Sequence, residues 1–391
     1  MNTRRRFLAA TAALSVPLQL TLAPAARAAG PEDPRFVFVL LRGGMDGLAA
    51  VPAVGDSDFE PARGALARYE TPPLPLAGTP FALHPNLASL HAMYQRKELA
   101  VLHAVGLPYR ERSHFDAQQV LESGGSRPYE LATGWLGRAL AAQGQGSGLA
   151  LTTAVPLVLR GSDRIDTWAP SVLPEPSPDL VTRLEFLYAG DAALRDALAR
   201  AKGLREGGAM VAEAAAERGS ARQAALTLAR KAGEMLAAAS GPRIAVLEIG
   251  GWDTHANQMN PNGALANQLR TLDAAVTALR DALGATWRRS VLLVATEFGR
   301  EVAVNGTMGS DHGTGGAAFV AGGAIAGGRV IADWPGLAKS QRFEGRDLRV
   351  TTDLRSAMKG VLTDHLRLPG AAIDSSVLPG STSVRALALL A

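Results

Sequence analysis

Cysteine is absent from all 391 residues. No disulfide can form and no thiolate can hold a metal, so a bound ion must rest on Asp, Glu, His, Asn or backbone oxygen. Long apolar runs are also scarce: beyond residue 28 none reaches the ~20 residues that a bilayer span requires. Net charge nearly vanishes on the same division. The chain carries +4, but residues 1–28 hold four Arg and no acid, and the remainder has 36 basic against 36 acidic residues. That balance removes the electrostatic case for nucleic acid or an acidic lipid surface as partner. Several familiar motifs are missing too. There is no Gly-x-Ser-x-Gly elbow, no Walker-type Gly-Lys-Ser/Thr and no His-Glu-x-x-His, which excludes the common serine hydrolases, NTPases and zincins. Gly313-Thr314-Gly315 follows an acidic turn instead of a strand and is not read as a dinucleotide loop.

What is present begins with Thr3-Arg4-Arg5-Arg6-Phe7-Leu8, an apolar stretch from Ala9 to Leu22, and the small-x-small site Ala26-Arg27-Ala28. This order predicts a twin-arginine signal over residues 1–28, the Tat translocase as partner during export, and a periplasmic or secreted product. The apolar stretch is too short for an anchor and is interrupted by Ser15, Pro17 and Gln19. Twin-arginine export carries folded proteins, often those that have already taken up a metal or cofactor.

Residues 29–391 are expected to form a single α/β domain. Apolar runs at Phe36 to Leu41, Leu99 to Ala104, Val155 to Arg160, Ile244 to Ile249 and Val291 to Ala295 predict buried strands, with weaker ones at Ala317 to Ala321 and Arg329 to Ile331. Helical patterns lie between them, at Leu87 to Arg96, Ser113 to Ser123, Leu265 to Leu283 and Asp353 to Leu366. The expected architecture is a doubly wound, mostly parallel sheet with helices on both faces. A Pro-rich linker at 170–180 leads into an Ala-rich helical insertion, broken at Gly207-Gly208, giving a helical lobe at about 170–240.

In such sheets ligands bind beyond the carboxyl ends of the strands. The loops predicted there hold Asp46 after the first strand and His103 with the Arg112-Ser113-His114 run after the second. Asp253 and His255 follow the fourth, Glu297 and Arg300 the fifth, and Asp311-His312 comes shortly after. Asp46, Asp253, His255, Glu297, Asp311 and His312 are the candidate metal ligands. Their mixed oxygen and imidazole donors suit Zn or Mn, the number of ions being open. Ser113, His114, Arg112 and Arg300 are the catalytic candidates. Ser113 also opens a capping box, so its hydroxyl is read equally as a helix cap and as a nucleophile. Each acid, taken singly, could instead cap a helix or pair with an Arg. His84, His91 and His365 are read as structural, His365 near a helix end where it would favour the dipole; Trp252 and Trp334 are read as core or pocket wall.

Together with the twin-arginine start, the segments Leu41-Arg42-Gly43-Gly44-Met45-Asp46-Gly47, Tyr109 to Asp116, Gly251-Trp252-Asp253-Thr254-His255, Thr296 to Arg300 and Asp311 to Gly316 resemble the exported bacterial domain of unknown function family 1501. That family in turn resembles the alkaline phosphatase and sulfatase superfamily. The resemblance implies a metal-dependent hydrolase scaffold. It places Asp46 as the first acid, Ser113 at the nucleophile position, Asp253 and His255 as a ligand pair, Glu297 as a later acid and His312 as the final His. Glu297-Phe298 stands where the superfamily has Asp-His, a departure that bears against a second metal. With no Cys, and Phe115 where sulfatases have Pro, formylglycine is not expected at Ser113. Three functions compete: a hydrolase of phosphate or sulfate esters, a non-catalytic metal-containing envelope binding or assembly protein, and a carbohydrate-binding role resting on Trp252 and Trp334.

Overall fold

Phe36, Phe38 and Leu40 alternate with Val37, Val39 and Leu41, and all six are buried. Apolar residues on both faces of one strand require cover on both sides of the sheet. In the computed structural model, which describes residues 33–170, 176–206 and 220–391, this strand lies at the centre. Nine strands form the main sheet: β1 (Arg35–Leu41), β2 (Leu99–Gly106), β3 (Gly148–Ala150), β4 (Ile165–Thr167), β5 (Ile244–Ile249), β6 (Ser290–Thr296), β7 (Gly316–Ala321), β8 (Arg329–Ile331) and β9 (Thr352–Asp353). Their spatial order is β8-β2-β7-β6-β1-β5-β3-β4, with β9 beside β2. In parallel register, Phe36 of β1 faces both Ile244 of β5 and Val291 of β6.

The helices used below are α1 (Gly47–Ala50), α2 (Phe59–Arg63), α3 (Ala88–Gln95), α4 (His114–Ser123), α5 (Trp135–Gln143), α6 (Pro178–Tyr188), α7 (Ala192–Glu206), α8 (Ala221–Ala237), α9 (Ala264–Leu283) and α10 (Arg355–Gly360). One core joins Val37, Val39 and Leu41 to α1, α3, α8 and α9; the other joins Phe36, Phe38 and Leu40 to α4, α5 and α10. Helix α9 shows why. Leu265, Leu269, Leu272, Val276, Leu279 and Leu283 recur every three or four residues and are all buried. The expected α/β class and two-sided cover are thus what the structure shows.

Two expectations are corrected. Val155 to Arg160 is not a strand: Leu157–Leu159 forms a 3-10 turn whose side chains are buried beside the sheet. Pro156, having no N–H, cannot donate to a central ladder, and short β3 takes the place beside β5 instead. The other concerns β7, which runs antiparallel to both β2 and β6. It follows β6 without a crossover helix, so it returns in the opposite sense. Its first residues therefore lie at the edge where the parallel strands end.

The signal over residues 1–28 and the Gly207-Gly208 break lie outside the described residues, as do residues 171–175 of the linker. Among the described residues no helix is long and apolar enough to cross a membrane. Of the expected lobe at about 170–240, α6, α7 and α8 are described: α6 and α7 pack on each other and no residue of α6 is buried, whereas α8 packs on α9 and belongs to the core over the sheet.

His103, His84 and His365 are internal. His103 Nε2 donates to the Val51 carbonyl at 2.8 Å, and the ring stacks on Phe81. His365 Nε2 donates to the Arg35 carbonyl at 2.8 Å. Burial pushes all three imidazoles down to about 4, so His365 is not the cation at a helix end that the sequence suggested. A histidine that unfolds to its ordinary value of 6.5 takes up protons more readily in the unfolded chain. Stability is therefore intact above pH 6.5 and falls as pH drops from 6.5 towards 4, by at most about 3 kcal/mol for each group. Thermal melts of metal-free protein across this window should show the decline, and His103→Gln should lessen it by about a third, since His84 and His365 remain.

Candidate metal centre

The loop after β1 turns at Gly43 (φ +118°) and Gly44 (φ +65°), conformations that favour glycine. Space forbids a side chain as well: a β-carbon on Gly43 would lie 2.7 Å from the Asp253 nitrogen, and one on Gly44 would lie 2.7 Å from the Phe298 ring. These contacts bring the loops after β1, β5 and β6 together. Helix α4 adds His114 as its first residue, and the segment entering β7 adds Asp311 and His312.

Four donor atoms converge there. Asp253 Oδ1 lies 2.8 Å from His255 Nε2, 3.1 Å from His312 Nε2 and 3.4 Å from His114 Nε2. His312 Nε2 is 3.0 Å from His114 Nε2 and 3.1 Å from His255 Nε2. The opposite side of each imidazole is committed. His114 Nδ1 donates to Glu297 Oε1 at 2.8 Å, His255 Nδ1 to Asp311 Oδ1 at 3.1 Å, and His312 Nδ1 to the Arg112 carbonyl at 3.1 Å. Carboxylates and carbonyls only accept, so all three protons sit on Nδ1, and the Nε2 lone pairs of His114 and His255 each face that of His312, the His255 one also meeting Arg300 Nη1 at 3.4 Å. Bare lone pairs at 3 Å repel unless a proton or cation lies among them. A tetrahedral ion with arms of about 2.0–2.1 Å would set its ligands about 3.3–3.4 Å apart, near the separations among Asp253, His114 and His312, the three whose ligand atoms could share one ion, with His255 adjoining Asp253 and His312. The donor set fits a divalent cation, with each histidine oriented by an outer acceptor as metal-ligating histidines usually are.

Electrostatics keep both carboxyls of the group ionised. Burial opposes ionisation of Asp253, but the Arg300 guanidinium at 2.6 Å, with His312 and His255, holds its carboxyl well below the usual range. Burial likewise opposes ionisation of Glu297, and hydrogen bonds from His114, Gln118 and the Gly43 N–H overcome it. The bond to Glu297 draws the His114 imidazole upward, whereas burial, with the charges of Arg300 and His114, pushes His312 down.

The structure brings Asp253, His255 and His312 together, and His114, read from the sequence as catalytic, lies with them. Glu297 and Asp311 stand one step back, orienting His114 and His255. Asp46 is not brought to the group. It caps α1, Oδ1 accepting from the Ala49 N–H at 3.0 Å, while Oδ2 accepts from Arg63 at 2.7 Å and Gln258 at 2.5 Å. Arg63 is itself fully buried. Asp46→Ala should therefore leave metal content unchanged and cost about 3–5 kcal/mol, because a buried guanidinium loses its partner; melting curves with elemental analysis check both halves.

Neither arginine candidate faces outward as a free cation. Arg300 is buried and donates to the carbonyls of Gly43, Gly44, Trp252 and Ser310 as well as to Asp253. Arg112 pairs with Asp347 at 2.8 Å and Glu344 at 2.5 Å, and offers the cluster only its carbonyl. Ser113 is the N-cap residue of α4, but its hydroxyl makes no cap bond. The capping box fails because Tyr109 intervenes: its phenol donates to Asp116 at 3.2 Å and also meets the Ser113 hydroxyl. His103 points to Val51, away from the site. Trp334 packs on Phe81 and His103, and Trp252 is buried, donating to the Ile249 carbonyl.

Sequence reasoning missed Gln118 and Asn305. Gln118 lies four residues after His114, on the same helix face, a spacing that could have been noticed. Asn305 donates to both the His255 carbonyl and Asp311 at 3.0 Å from an irregular loop, which carries no sequence signal. A cleft of about 650 Å³ between α8 and α9, lined by Arg222, Arg230, Glu234, Arg270, Asp273 and Asp281 among others, shares no lining residue with the cluster.

Comparison with known proteins adds the following. Among solved structures, the PsFucS1 sulfatase from Pseudoalteromonas sp. is 13% identical, with 92% of this chain and 72% of that chain covered and a TM-score of 0.43. The zinc complex of the C-terminal periplasmic domain of EcEptC from Escherichia coli is 11% identical, with 74% and 72% covered and a TM-score of 0.36. No curated protein matches the sequence. The family described as Protein of unknown function (DUF1501) matches residues 45–376, from the first turn of the β1 loop to beyond α10, and the chain belongs to that family.

Proposed function

We propose that the chain is an exported, metal-dependent hydrolase of phosphate or sulfate esters, of the alkaline phosphatase and sulfatase type. The convergence of three imidazole Nε2 atoms on one carboxylate oxygen carries this reading. His114, Asp253, His255 and His312 would hold the cation, Zn or Mn. When bound it would supply Lewis acidity toward an ester oxygen and lower the pKa of a coordinated water or hydroxyl. Glu297, Asp311 and the Arg112 carbonyl keep the three rings in the required tautomer, and Arg300 neutralises Asp253 from behind. Ser113, whose hydroxyl makes no bond to its own helix, is the proposed nucleophile. It directly precedes His114 in the chain. Export by the twin-arginine route would let the ion be loaded before translocation.

Full-length protein purified from its exporting compartment is expected to contain a divalent transition metal and to turn over an aryl phosphate, a phosphodiester or an aryl sulfate. Protein with neither metal nor turnover defeats the reading. One observation favours the alternative, a metal-containing envelope binding or assembly protein: Phe186 and Leu187 of α6 are 87% and 71% exposed, apolar surface suited to a protein partner. Bound metal, no hydrolysis across the panel and a co-purifying protein would establish it.

A further inference from the structure

The Gln118 amide lies between two groups that can each act in only one sense. Arg42 Nη1 donates to Gln118 Oε1 at 3.1 Å, and Gln118 Nε2 donates to Glu297 Oε1 at 3.1 Å. A guanidinium cannot accept and a carboxylate cannot donate, so the orientation of the amide is dictated by its neighbours. Arg42 is gripped in turn: Nε and Nη2 bond both oxygens of Glu248, at 2.8 and 2.6 Å, and Nη2 also bonds Glu122 at 2.9 Å. The second Glu122 oxygen accepts from the Val158 N–H. At the other end, the Glu297 oxygen that meets Gln118 is the one that accepts His114 Nδ1. A continuous chain of directed bonds therefore runs from Arg42 through Gln118 and Glu297 to an imidazole of the cluster.

We propose that Arg42 and Gln118 are positioning residues for His114, holding Glu297 where it keeps the proton on His114 Nδ1 and the Nε2 lone pair on the cluster. The proposal rests on the metal-centre reading for its purpose, though not for its geometry. A turned amide would set its oxygen against Glu297; removal of the amide takes away one of the three donors on Glu297 Oε1, which also accepts from the Gly43 N–H. Either change leaves Glu297 Oε1 with only the Gly43 N–H and His114 Nδ1, and Oε2 with the Thr296 hydroxyl, so the carboxylate is held less tightly in front of the His114 ring.

The test uses full-length protein labelled with ¹⁵N-histidine, wild type against Gln118→Leu, with zinc affinity measured by competition against a chelating dye. Loss of such an outer partner usually weakens metal affinity 10–100-fold. Gln118→Leu is expected to bind zinc about tenfold more weakly. In the metal-free state its His114 ring resonances should move from a single Nδ1–H tautomer towards a mixture, with the melting temperature shifted by no more than about 3 °C. Arg42→Lys, which keeps a charge against Glu122 and Glu248 but not the planar fork, should change both readouts in the same direction. A packing role alone would move the melting temperature and leave the tautomer untouched. Wild-type tautomer and zinc affinity in both variants would overturn the proposal. A wild-type protein that takes no zinc ends the metal reading instead, and the metal-free tautomers then decide the relay by themselves.

Discussion

Asp253→Asn keeps its fold and loses its ion. The carboxylate oxygen at the focus of the cluster faces three imidazole nitrogens within 3.4 Å and Arg300 at 2.6 Å. An amide oxygen still accepts from Arg300, so the buried guanidinium keeps a partner and the loops stay joined. What disappears is the negative charge that a divalent ion needs beside three neutral rings. Tetrahedral zinc sites bind with apparent energies of roughly 10–16 kcal/mol, so one ligand in four represents about 3–4 kcal/mol, or on the order of 10²–10³ in affinity. Elemental analysis after dialysis against a weak chelator should find the variant empty and the wild type loaded, with ester turnover reduced at least in proportion. Full metal content with full turnover in Asp253→Asn would remove this residue from the site.

Arg300→Met, by contrast, should damage the fold itself. The Arg300 side chain, from the loop after β6, is fully buried, and its donors meet four carbonyls and one carboxylate from the loops after β1 and β5 and the turn before β7, with Nη1 also 3.4 Å from His255 Nε2. Each buried acceptor left without a donor costs about 1–3 kcal/mol, and an uncompensated carboxylate costs more. A net loss above about 4 kcal/mol, a fall in melting temperature of roughly 10 °C or more, is the expected result. Lysine retains the charge as a point without the planar fork, so Arg300→Lys should fall between. Thermal melts with and without zinc check this. If Arg300→Met kept wild-type stability and lost only turnover, the guanidinium would be a substrate-facing group after all.

Both outcomes turn on a distinction that composition cannot draw. Asp46, Asp253, Glu297 and Asp311 are all acids in loops at one sheet edge, and by sequence all four were candidate ligands. The structure separates them by what surrounds each oxygen. Asp253 presents an oxygen to three imidazoles; Glu297 and Asp311 are occupied in holding His114 and His255; Asp46 is consumed by α1 and Arg63. His114, placed among the catalytic residues by its neighbour Ser113, turns its ring into the ligand group instead. The expected capping box fails for a similar reason: the pattern of Ser113 and Asp116 is local, but the Tyr109 phenol that engages both approaches from the preceding loop.

Apolar periodicity determined the layered α/β class, the central strands and α9, because burying such runs on two faces leaves few arrangements. The glycine turns and the polar residues that follow each strand also determined which edge carries the chemistry. The direction of β7, the place of β3 and the sorting of acids into ligand, orienter and cap were decided only by tertiary structure. Each depends on which groups from distant segments meet within about 3 Å. A hydrogen bond is assigned by the partner that arrives, and in a chain this long that partner can lie some 250 residues away, as Glu297 does from Gly43.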